Sequence, residues 1–435
     1  MSILQKDKYK NTLIFNKESI KLFYILNKKI NENDCIYNCS CVFDVSCTSR
    51  GLNVFYIASM AETKRHLMAS RKFLHLITLY PKPIHHYYRS VLTIPRNYSY
   101  KTDFLNYIKD KSIDKKLYLD HTPTTRFETF LINNRLLDQL WFRENNNNIK
   151  FYENNHKFSP IQLKYESFIA SGVWEFPFDK KLTRDQYFYA KQQPILLTMM
   201  TCVQRNLILK SYYHDKLKCL FVDIPYANNE YSMLIIKPDE LLNNDQLLEF
   251  CAKHFSEGQI ILNFYHLHGR FTKYPKMILP KFHIKSEYHL DQEFLPVGKQ
   301  KLYRKNCNYL IPLFGKTLPN FSQISDNLKG KEVRLSCHTE FICDEYGILP
   351  PPPTSKIINN SDDDDNNIKS ENDKKENKKI VSYFNKSPLL INKNFIFAIM
   401  RAKDARFIAL GIFEGDQTMM TNGVCLSPLD TLTVA

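Results

Sequence analysis

The sequence is poor in glycine, with only 11 glycines in 435 residues. An average soluble protein contains about 7% glycine, so a collagen-like chain is excluded and Gly-rich linkers are not expected. The longest apolar runs, such as residues 395–400, are much shorter than the roughly 20 residues that cross a bilayer. The first residues also lack the apolar run of a signal peptide. We therefore predict neither a membrane-spanning helix nor a recognisable leader.

Motifs of common enzymes and metal sites are missing as well. The sequence has no G-x-S-x-G, P-loop, dinucleotide fingerprint, H-E-x-x-H or paired C-x-x-C. The acidic run Asp362–Asp365 lacks the spaced ligands and the glycine turn of a calcium loop. We therefore predict that the protein is not an enzyme and needs no cofactor or metal.

The composition favours a large folded core and a basic surface. Hydrophobic residues make up 43% of the chain, which excludes a wholly disordered protein. The net charge is +15, but the lysines and arginines are dispersed and form no long run. Dispersed charge is typical of an ordinary solvated surface, and no nucleic-acid partner is predicted. An anionic polysaccharide remains an alternative partner.

The chain has 11 cysteines, an odd number that leaves at least one thiol outside any intramolecular disulfide. So few in so long a chain do not make a disulfide scaffold. Cys35, Cys39, Cys41 and Cys47 crowd one stretch without zinc-ligand spacing. We expect buried thiols, with a zinc site as the alternative.

Hydrophobic periodicity divides the chain into two halves. Residues 15–31 and 60–78 have helical spacing, which predicts a helical N-terminal half. From about residue 195 onward, short apolar stretches alternate with turn signals. The predicted strands include Leu220–Ile224, Tyr231–Ile236, 279–287, 331–343, 395–401 and 406–413. Helices followed by strands indicate an α+β fold.

One segment differs from the rest in composition. Four prolines, Pro350–Pro353, precede a stretch at 359–379 that is rich in Asp, Asn and Lys and has one apolar residue, Ile368. Such a stretch cannot bury enough surface to offset its ordering entropy. Apolar strands resume after it, so we predict a long, exposed, largely disordered loop inside one folded domain. The segment is also a predicted protease target.

The order of several short motifs resembles that of the serpin family. The matching segments are Gly172–Phe178, Phe188–Tyr189, Met199–Met200, Leu220–Tyr226, Ser232–Asp239, Leu279–Phe282, Phe321–Ile324, His338–Gly347 and Asn392–Phe397. The matches follow family order over roughly residues 160–413. The N-terminal third matches only in helical texture and in Glu62–Lys64.

This resemblance implies a fold and a mechanism. The fold is one domain over 1–435, with three β-sheets, about nine helices and a reactive centre loop, placed here at 348–385. In an inhibitory member, a serine protease cleaves that loop, which then inserts into the main sheet as a new strand and traps the acyl-enzyme. The family also implies an extracellular location, whereas the missing leader and the expected thiols favour the cytoplasm as the alternative.

The resemblance also assigns roles to individual residues. Trp174 and His338 match positions of the breach and shutter, where the main sheet opens. Phe43 falls where the family has a shutter serine, and Glu166 where it has an asparagine. The hinge of the loop is matched by Glu345, Gly347, Ile348, Leu349, Pro350, Pro351, Pro352, Pro353 and Thr354.

The proline run conflicts with loop insertion. The family has small residues at the hinge because they become a central strand. Proline has no N–H to donate to a strand ladder and is confined to edges and bulges. Insertion is therefore predicted to stall at Pro350, which favours a non-inhibitory or substrate-like serpin.

A working serine protease inhibitor remains the alternative. Its bait residue would be basic, Lys356, Lys378 or Lys379, for a trypsin-like protease, or Tyr383 for a chymotrypsin-like one. Counting back from the C-terminal strand favours Tyr383, and counting forward from Gly347 favours Ser361. A polyanion-binding module is the third hypothesis.

Overall fold

The computed structural model describes the following residues of the chain. They are 12–13, 16–17, 19–24, 27, 40–45, 48, 86–94, 98–110, 117–121, 161–169, 172–190, 194–227, 230–255, 259–289, 294–296, 310–312, 320–326, 328, 333–348, 383–384, 387–402 and 404–415. The predicted helix at 60–78 lies outside these residues, and so does the predicted loop at 348–385 except for Ile348, Tyr383 and Phe384. Among the residues described, no helix is long and apolar enough to cross a membrane.

Strands make up most of the described structure. They are β1 (Cys41–Asp44), β2 (His86–Ile94), β3 (Leu117–His121), β4 (Ile161–Ile169), β5 (Gly172–Val173), β6 (Asp179–Tyr189), β7 (Pro194–Cys202), β8 (Ile208–His214), β9 (Cys219–Pro225), β10 (Tyr231–Pro238), β11 (Arg270–Lys273), β12 (Met277–Pro280), β13 (Phe282–His289), β14 (Phe294–Pro296), β15 (Leu310–Pro312), β16 (Val333–Cys343), β17 (Gly347–Ile348), β18 (Tyr383–Phe384), β19 (Leu389–Leu390), β20 (Phe395–Arg401) and β21 (Arg406–Phe413).

Helices pack at the sheet faces. They are α1 (Thr102–Asp110), α2 (Asn244–Phe255) and α3 (Gln259–Asn263), which continues into a π-helix (Phe264–His268). The described residues between 12 and 27 are also helical, as the sequence predicts for most of that stretch. A capping box starts α2, because the Asn243 Oδ1 accepts from the Gln246 N–H at 2.9 Å and the Gln246 Oε1 accepts from the Asn243 N–H at 3.1 Å.

Three larger sheets form the frame. The largest has the order β1-β21-β20-β10-β9-β8-β11-β18, a second has β13-β16-β4-β2-β3, and a third has β19-β12-β7-β6. The two-stranded pairs β14-β15 and β17-β5 complete the described sheets. The predicted hairpin is confirmed, since β9 and β10 pair antiparallel from Ser232 opposite Pro225 to Pro238 opposite Cys219.

The central strands of the large sheet, such as β10, β20 and β21, are buried on both faces, and this explains their unbroken apolar sequences. Along β20, Ile396, Ala398 and Met400 enter one hydrophobic core together with the helices. Phe395, Phe397 and Ile399 point the other way, into a second core shared with the third sheet. A strand covered on both sides needs apolar side chains at every position, so it shows no polar alternation.

The N-terminal half contains more strand than the sequence interpretation expected. Strands β1, β2, β3 and β4 all precede residue 170. The helical interpretation of this half misses these strands, which complete sheets together with later strands, such as β16 beside β4 and β21 beside β1. The α+β class itself is confirmed, with three main sheets of the predicted kind.

Gly411 is a position where the core admits no side chain. It lies opposite Phe397 across β20 and β21, and a Cβ there would come within 2.2 Å of the Phe397 ring and 2.8 Å of the Cys41 carbonyl oxygen. We predict that Gly411→Ala lowers the free energy of unfolding by about 1–3 kcal/mol, measured by urea denaturation. Adding Phe397→Leu removes the ring, so the double variant should lose less than the sum of the two single losses. An unchanged stability for Gly411→Ala would contradict this packing.

Candidate functional site

The loop leaves the second sheet through a short, tightly bonded turn. After β16 the chain turns at Asp344–Tyr346, where the Asp344 Oδ1 accepts from the Tyr346 N–H at 3.0 Å and the Asp344 carbonyl accepts from the Gly347 N–H at 3.2 Å. Gly347 has a φ of +107°, a conformation that favours glycine. The next two residues, Gly347–Ile348, form β17 and pair antiparallel with β5.

The partner strand β5 is itself held in place. The Val173 carbonyl accepts from the Ala227 N–H at 2.8 Å, and the Pro225 carbonyl accepts from the Glu175 N–H at 3.0 Å. Strand β5 is therefore tied to the end of β9 and its turn. We call the pairing of Gly347–Ile348 with Gly172–Val173 the hinge clasp.

Glu345 is the buried charge of this turn. Its side chain is only 3% exposed, and its Oε2 accepts from the Lys281 ammonium at 2.9 Å, while the Lys281 side chain is 29% exposed. Burial acts to raise the pKa of Glu345, but the hydrogen bond and charge of Lys281 are the main contacts that outweigh it and hold that pKa below its usual value. The Glu345 carbonyl also accepts from the Phe178 N–H at 3.3 Å. The turn is therefore fixed by both charge and backbone.

Trp174, which the resemblance assigns to the breach, covers the same turn. Its indole Nε1 donates to the Asp344 carbonyl at 2.8 Å. The ring stacks on Tyr226 at a centroid distance of 4.6 Å and meets Phe178 edge-on at 5.9 Å. Trp174 thus joins β5, the turn after β16 and the turn after β9 in one buried contact.

Below the turn, β16 and β4 are direct parallel neighbours. Their register runs from Val333 opposite Ile161 to Phe341 opposite Ile169. The two residues matched to the shutter, His338 and Glu166, are register partners in this pairing. An inserted loop strand would have to separate these two strands.

The far side of β16 carries a buried carboxylate with basic neighbours from β13. Glu340 Oε1 lies 2.5 Å from His283 Nε2 and 3.3 Å from Lys285 Nζ. Burial acts to raise the pKa of Glu340, and the hydrogen bond and charge of His283, with Lys285, bring it below its usual value. These contacts tie β16 to the edge strand β13.

After the loop segment, the chain forms two short parallel pairings. Strand β18 pairs with β11 in the large sheet, and β19 pairs with β12 in the third sheet. Backbone hydrogen bonds of 2.9 Å from the Leu389 N–H to the Lys276 carbonyl and 3.0 Å from the Ile391 N–H to the Ile278 carbonyl hold β19 beside β12. Tyr383, one of the predicted bait residues, thus lies on a paired strand opposite Thr272.

Other predicted residues fall inside or outside the described region as follows. Phe43 is buried on β1 and meets the ring of Tyr288 edge-on at 5.3 Å. The hinge residues Glu345, Gly347 and Ile348 are described. The remaining hinge and bait residues lie outside the described residues, namely Leu349, Pro350, Pro351, Pro352, Pro353, Thr354, Lys356, Ser361, Lys378 and Lys379.

The sequence does not predict a role for several residues of the site. Lys281 belongs to a Pro-Lys-Phe motif and Gly172–Val173 to a Gly-x-Trp motif, and neither motif names a contact. Their motif membership was the available signal, but their partners Glu345 and Gly347–Ile348 are far along the chain. The residues described contain no group of three metal-ligating side chains. The six cysteines among them are buried and outside disulfides.

The Glu345–Lys281 pair yields a pH-dependent prediction. A carboxylate whose pKa is lower in the folded than in the unfolded state stabilises the folded protein. This contribution is complete above the unfolded-state pKa, about 4.3 for Glu, and it is lost as the pH falls through the folded-state pKa. We expect Glu345→Gln to lower the free energy of unfolding at pH 7 by about 1.5–3 kcal/mol, measured by urea denaturation. The deficit should shrink as the pH falls below about 4.

The matched control for this prediction is Glu175→Gln, because Glu175 is an exposed carboxylate in the same region. Its free energy of unfolding should equal that of the wild type both at pH 7 and below about pH 4. Equal stability of Glu345→Gln and wild type at pH 7 would mean that the buried pair contributes nothing.

Known proteins share both this sequence pattern and this fold. The sequence model of the family described as "Serpin (serine protease inhibitor)" matches residues 165–318. Ovalbumin-related protein Y of Gallus gallus is 23% identical over 231 residues, which span 50% of this chain and 54% of that protein. Alpha-1-antichymotrypsin of Homo sapiens is 28% identical over 136 residues, which span 31% of this chain and 30% of that protein. The chain thus spans about half the length of the first of these relatives.

The structural similarity extends over nearly the whole chain. The crystal structure of native protease nexin-1 with heparin superposes with a TM-score of 0.65 and 14% identity, covering 93% of this chain and 100% of that one. The three sheets are of the kind that the serpin resemblance implies. Residues 165–318 thus match the serpin family, and the chain as a whole has the serpin fold.

Proposed function

We propose that this protein keeps the serpin fold without the trapping mechanism, and that its loop serves as a recognition or substrate segment. The single observation that carries this proposal is the hinge clasp. It holds Gly347–Ile348 against β5, outside the β4–β16 pairing, immediately before the prolines at 350–353. The proposal includes that the protein is not itself an enzyme.

Loop insertion would have to break two sets of contacts. The nine register pairs between β4 and β16 would have to part along their whole length. The hinge would also have to leave the clasp and the turn, which contains a buried ion pair and a bond from Trp174. A new strand can offset these losses only by forming its own ladder on both sides.

The proline run removes that compensation. Each of Pro350–Pro353 lacks the N–H that a central strand donates, and each unmade ladder bond costs about 1 kcal/mol or more when its partner carbonyl is buried. Four consecutive prolines favour an extended polyproline II segment instead. We infer that an inserted strand would stall at Pro350 and that a cleaved loop would stay outside the sheet.

The length of the loop supports the same conclusion. Residues 349–382 connect β17 to β18, and β18 is paired with β11 rather than free. A long tether leaves slack between the sheet and a bound protease, so it cannot compress the acyl-enzyme. A working serine protease inhibitor, as the name of the matched family would suggest, is the alternative that the next experiment separates.

The test is limited proteolysis followed by thermal unfolding. Trypsin is expected to cut in the loop, for example after Lys378 or Lys379, and mass spectrometry would locate the cut. Because no strand is added, we expect the melting temperature of the cleaved protein to lie within about 2 °C of the intact one. We also expect no SDS-stable complex with trypsin or chymotrypsin.

A variant with all four prolines replaced by alanine is the matched control, since only the ladder-forming ability of residues 350–353 changes. A large rise in melting temperature on cleavage of this variant alone would assign the block to the prolines. A large rise for the wild-type protein, or an SDS-stable protease complex, would contradict the proposal and identify an inhibitor.

A second candidate function is polyanion binding. Two observations favour it. The net charge is +15, and the fold is similar to that of protease nexin-1, whose crystal structure is with heparin. We expect retention on a heparin column that falls steeply between about 0.1 and 0.5 M salt, because screening shortens the Debye length from about 10 Å. A cation-exchange column of equal charge density is the control. Elution at the same salt concentration from both columns would mean that the protein binds heparin only through nonspecific charge attraction.

Both kinds of partner, secreted proteases and polysaccharides, are met outside the cell, so the proposal includes an extracellular location. Staining of unpermeabilised cells with an antibody to the loop tests it.

A further inference from the structure

A cavity lies at a step in the large sheet, where strand β8 extends beyond its neighbour β11. Strand β11 begins with Arg270 opposite Ser211, whereas β8 continues to His214. The end of the π-helix at Leu267 and His268 also lines this step, and the cavity, which is open to solvent, has a volume of about 500 Å³. This volume is typical of sites that hold small organic ligands. The cavity lies on β8 and β11, apart from the hinge clasp.

One wall of the cavity is a chain of hydroxyl groups. The Tyr274 hydroxyl donates to Ser211 Oγ at 2.8 Å, and Ser211 Oγ donates to Thr272 Oγ1 at 3.0 Å. Tyr274 and Ser211 are buried, and each is satisfied by this chain. A polar wall whose hydrogen bonds are already made is pre-organised, so ligand binding loses little conformational entropy in these side chains.

Two basic side chains flank the cavity because of one glycine. Gly269 ends the π-helix, with its N–H donating to the Phe264 carbonyl at 2.8 Å, and places His268 and Arg270 on either side of it. A Cβ at Gly269 would lie 2.6 Å from the Phe264 carbonyl oxygen and 2.8 Å from Lys210 Cε. Only glycine permits this close turn, in a chain that has few glycines.

The π-helix that carries this wall is fastened to the sheet. The Tyr265 hydroxyl donates to Asp223 Oδ1 at 2.5 Å, and Lys210 Nζ donates to the Tyr265 carbonyl. These contacts join the π-helix to β9 and β8. A π-helix is rare and often lies beside a functional site.

The remaining lining is apolar and reaches the surface. Leu220 and Leu267 line the cavity, and Leu267 is 52% exposed although it is a large apolar side chain. Arg270 is exposed at the same rim and carries a charge at any physiological pH. The lining thus pairs an apolar surface with a permanent cation.

We propose that this cavity binds a small organic anion with a flat apolar body. Its carboxylate or sulfonate would be bound by the Arg270 guanidinium, and its ring would pack against Leu220, Leu267 and Tyr213. An uncharged molecule of the same shape would bind less well, because it would bring no negative charge to the guanidinium.

The test uses 2-naphthoate and its uncharged counterpart 2-naphthamide, titrated into the full chain by calorimetry. We expect saturable binding of 2-naphthoate with one site per chain, and binding of the amide that is roughly tenfold weaker. Arg270→Gln should weaken 2-naphthoate binding by roughly tenfold and leave the amide unchanged. The exposed Arg205, which does not line the cavity, supplies the matched control Arg205→Gln.

A second variant acts at the exposed rim. Leu267→Glu places a negative charge at the mouth, so it should weaken 2-naphthoate binding more than amide binding while leaving the melting temperature unchanged. No saturable binding at millimolar 2-naphthoate would overturn the proposal. Equal affinities of wild type, Arg270→Gln and Leu267→Glu for 2-naphthoate would overturn it too, because the anion would then be bound elsewhere.

Discussion

The direct parallel pairing of β16 with β4 is the contact that any strand insertion would have to break. That pairing places His338 beside Glu166, and the turn that follows it carries Glu345 and the hinge clasp. The buried carboxylate Glu340 ties β16 to β13 on the other side. Strand β16 is thus bonded along both edges, so a new strand could enter only by breaking one of them.

The fold and the proposed loss of mechanism belong to different parts of the chain. The three sheets and their two cores depend on apolar strands buried on both faces, which tolerate many sequences as long as volume and pattern are kept. This tolerance is consistent with a shared fold at only 14% identity. Insertion, by contrast, depends on a few backbone N–H groups, which four prolines remove.

The sequence predicted the C-terminal strands well because their signals are local. Apolar runs ended by turns predicted 331–343 and 395–401, and the structure has Val333–Cys343 and Phe395–Arg401. The N-terminal strands were missed because short runs of mixed apolar and polar residues, such as Ile161–Ile169, are ambiguous between helix and strand. The site was predicted in part: Trp174 and Glu345 came from motifs, but the clasp between Gly347–Ile348 and Gly172–Val173 is a long-range pairing that no local pattern encodes.

The most direct test of this account is hydrogen–deuterium exchange of the β16 amides, followed by mass spectrometry in the intact and the loop-cleaved protein. If the loop stays outside the sheet, β16 keeps its neighbours β4 and β13, and its exchange rates should be the same in both forms. A marked slowing of exchange along Val333–Cys343 after cleavage, with new protection in residues 349–360, would show that the loop has entered the sheet and would contradict the account.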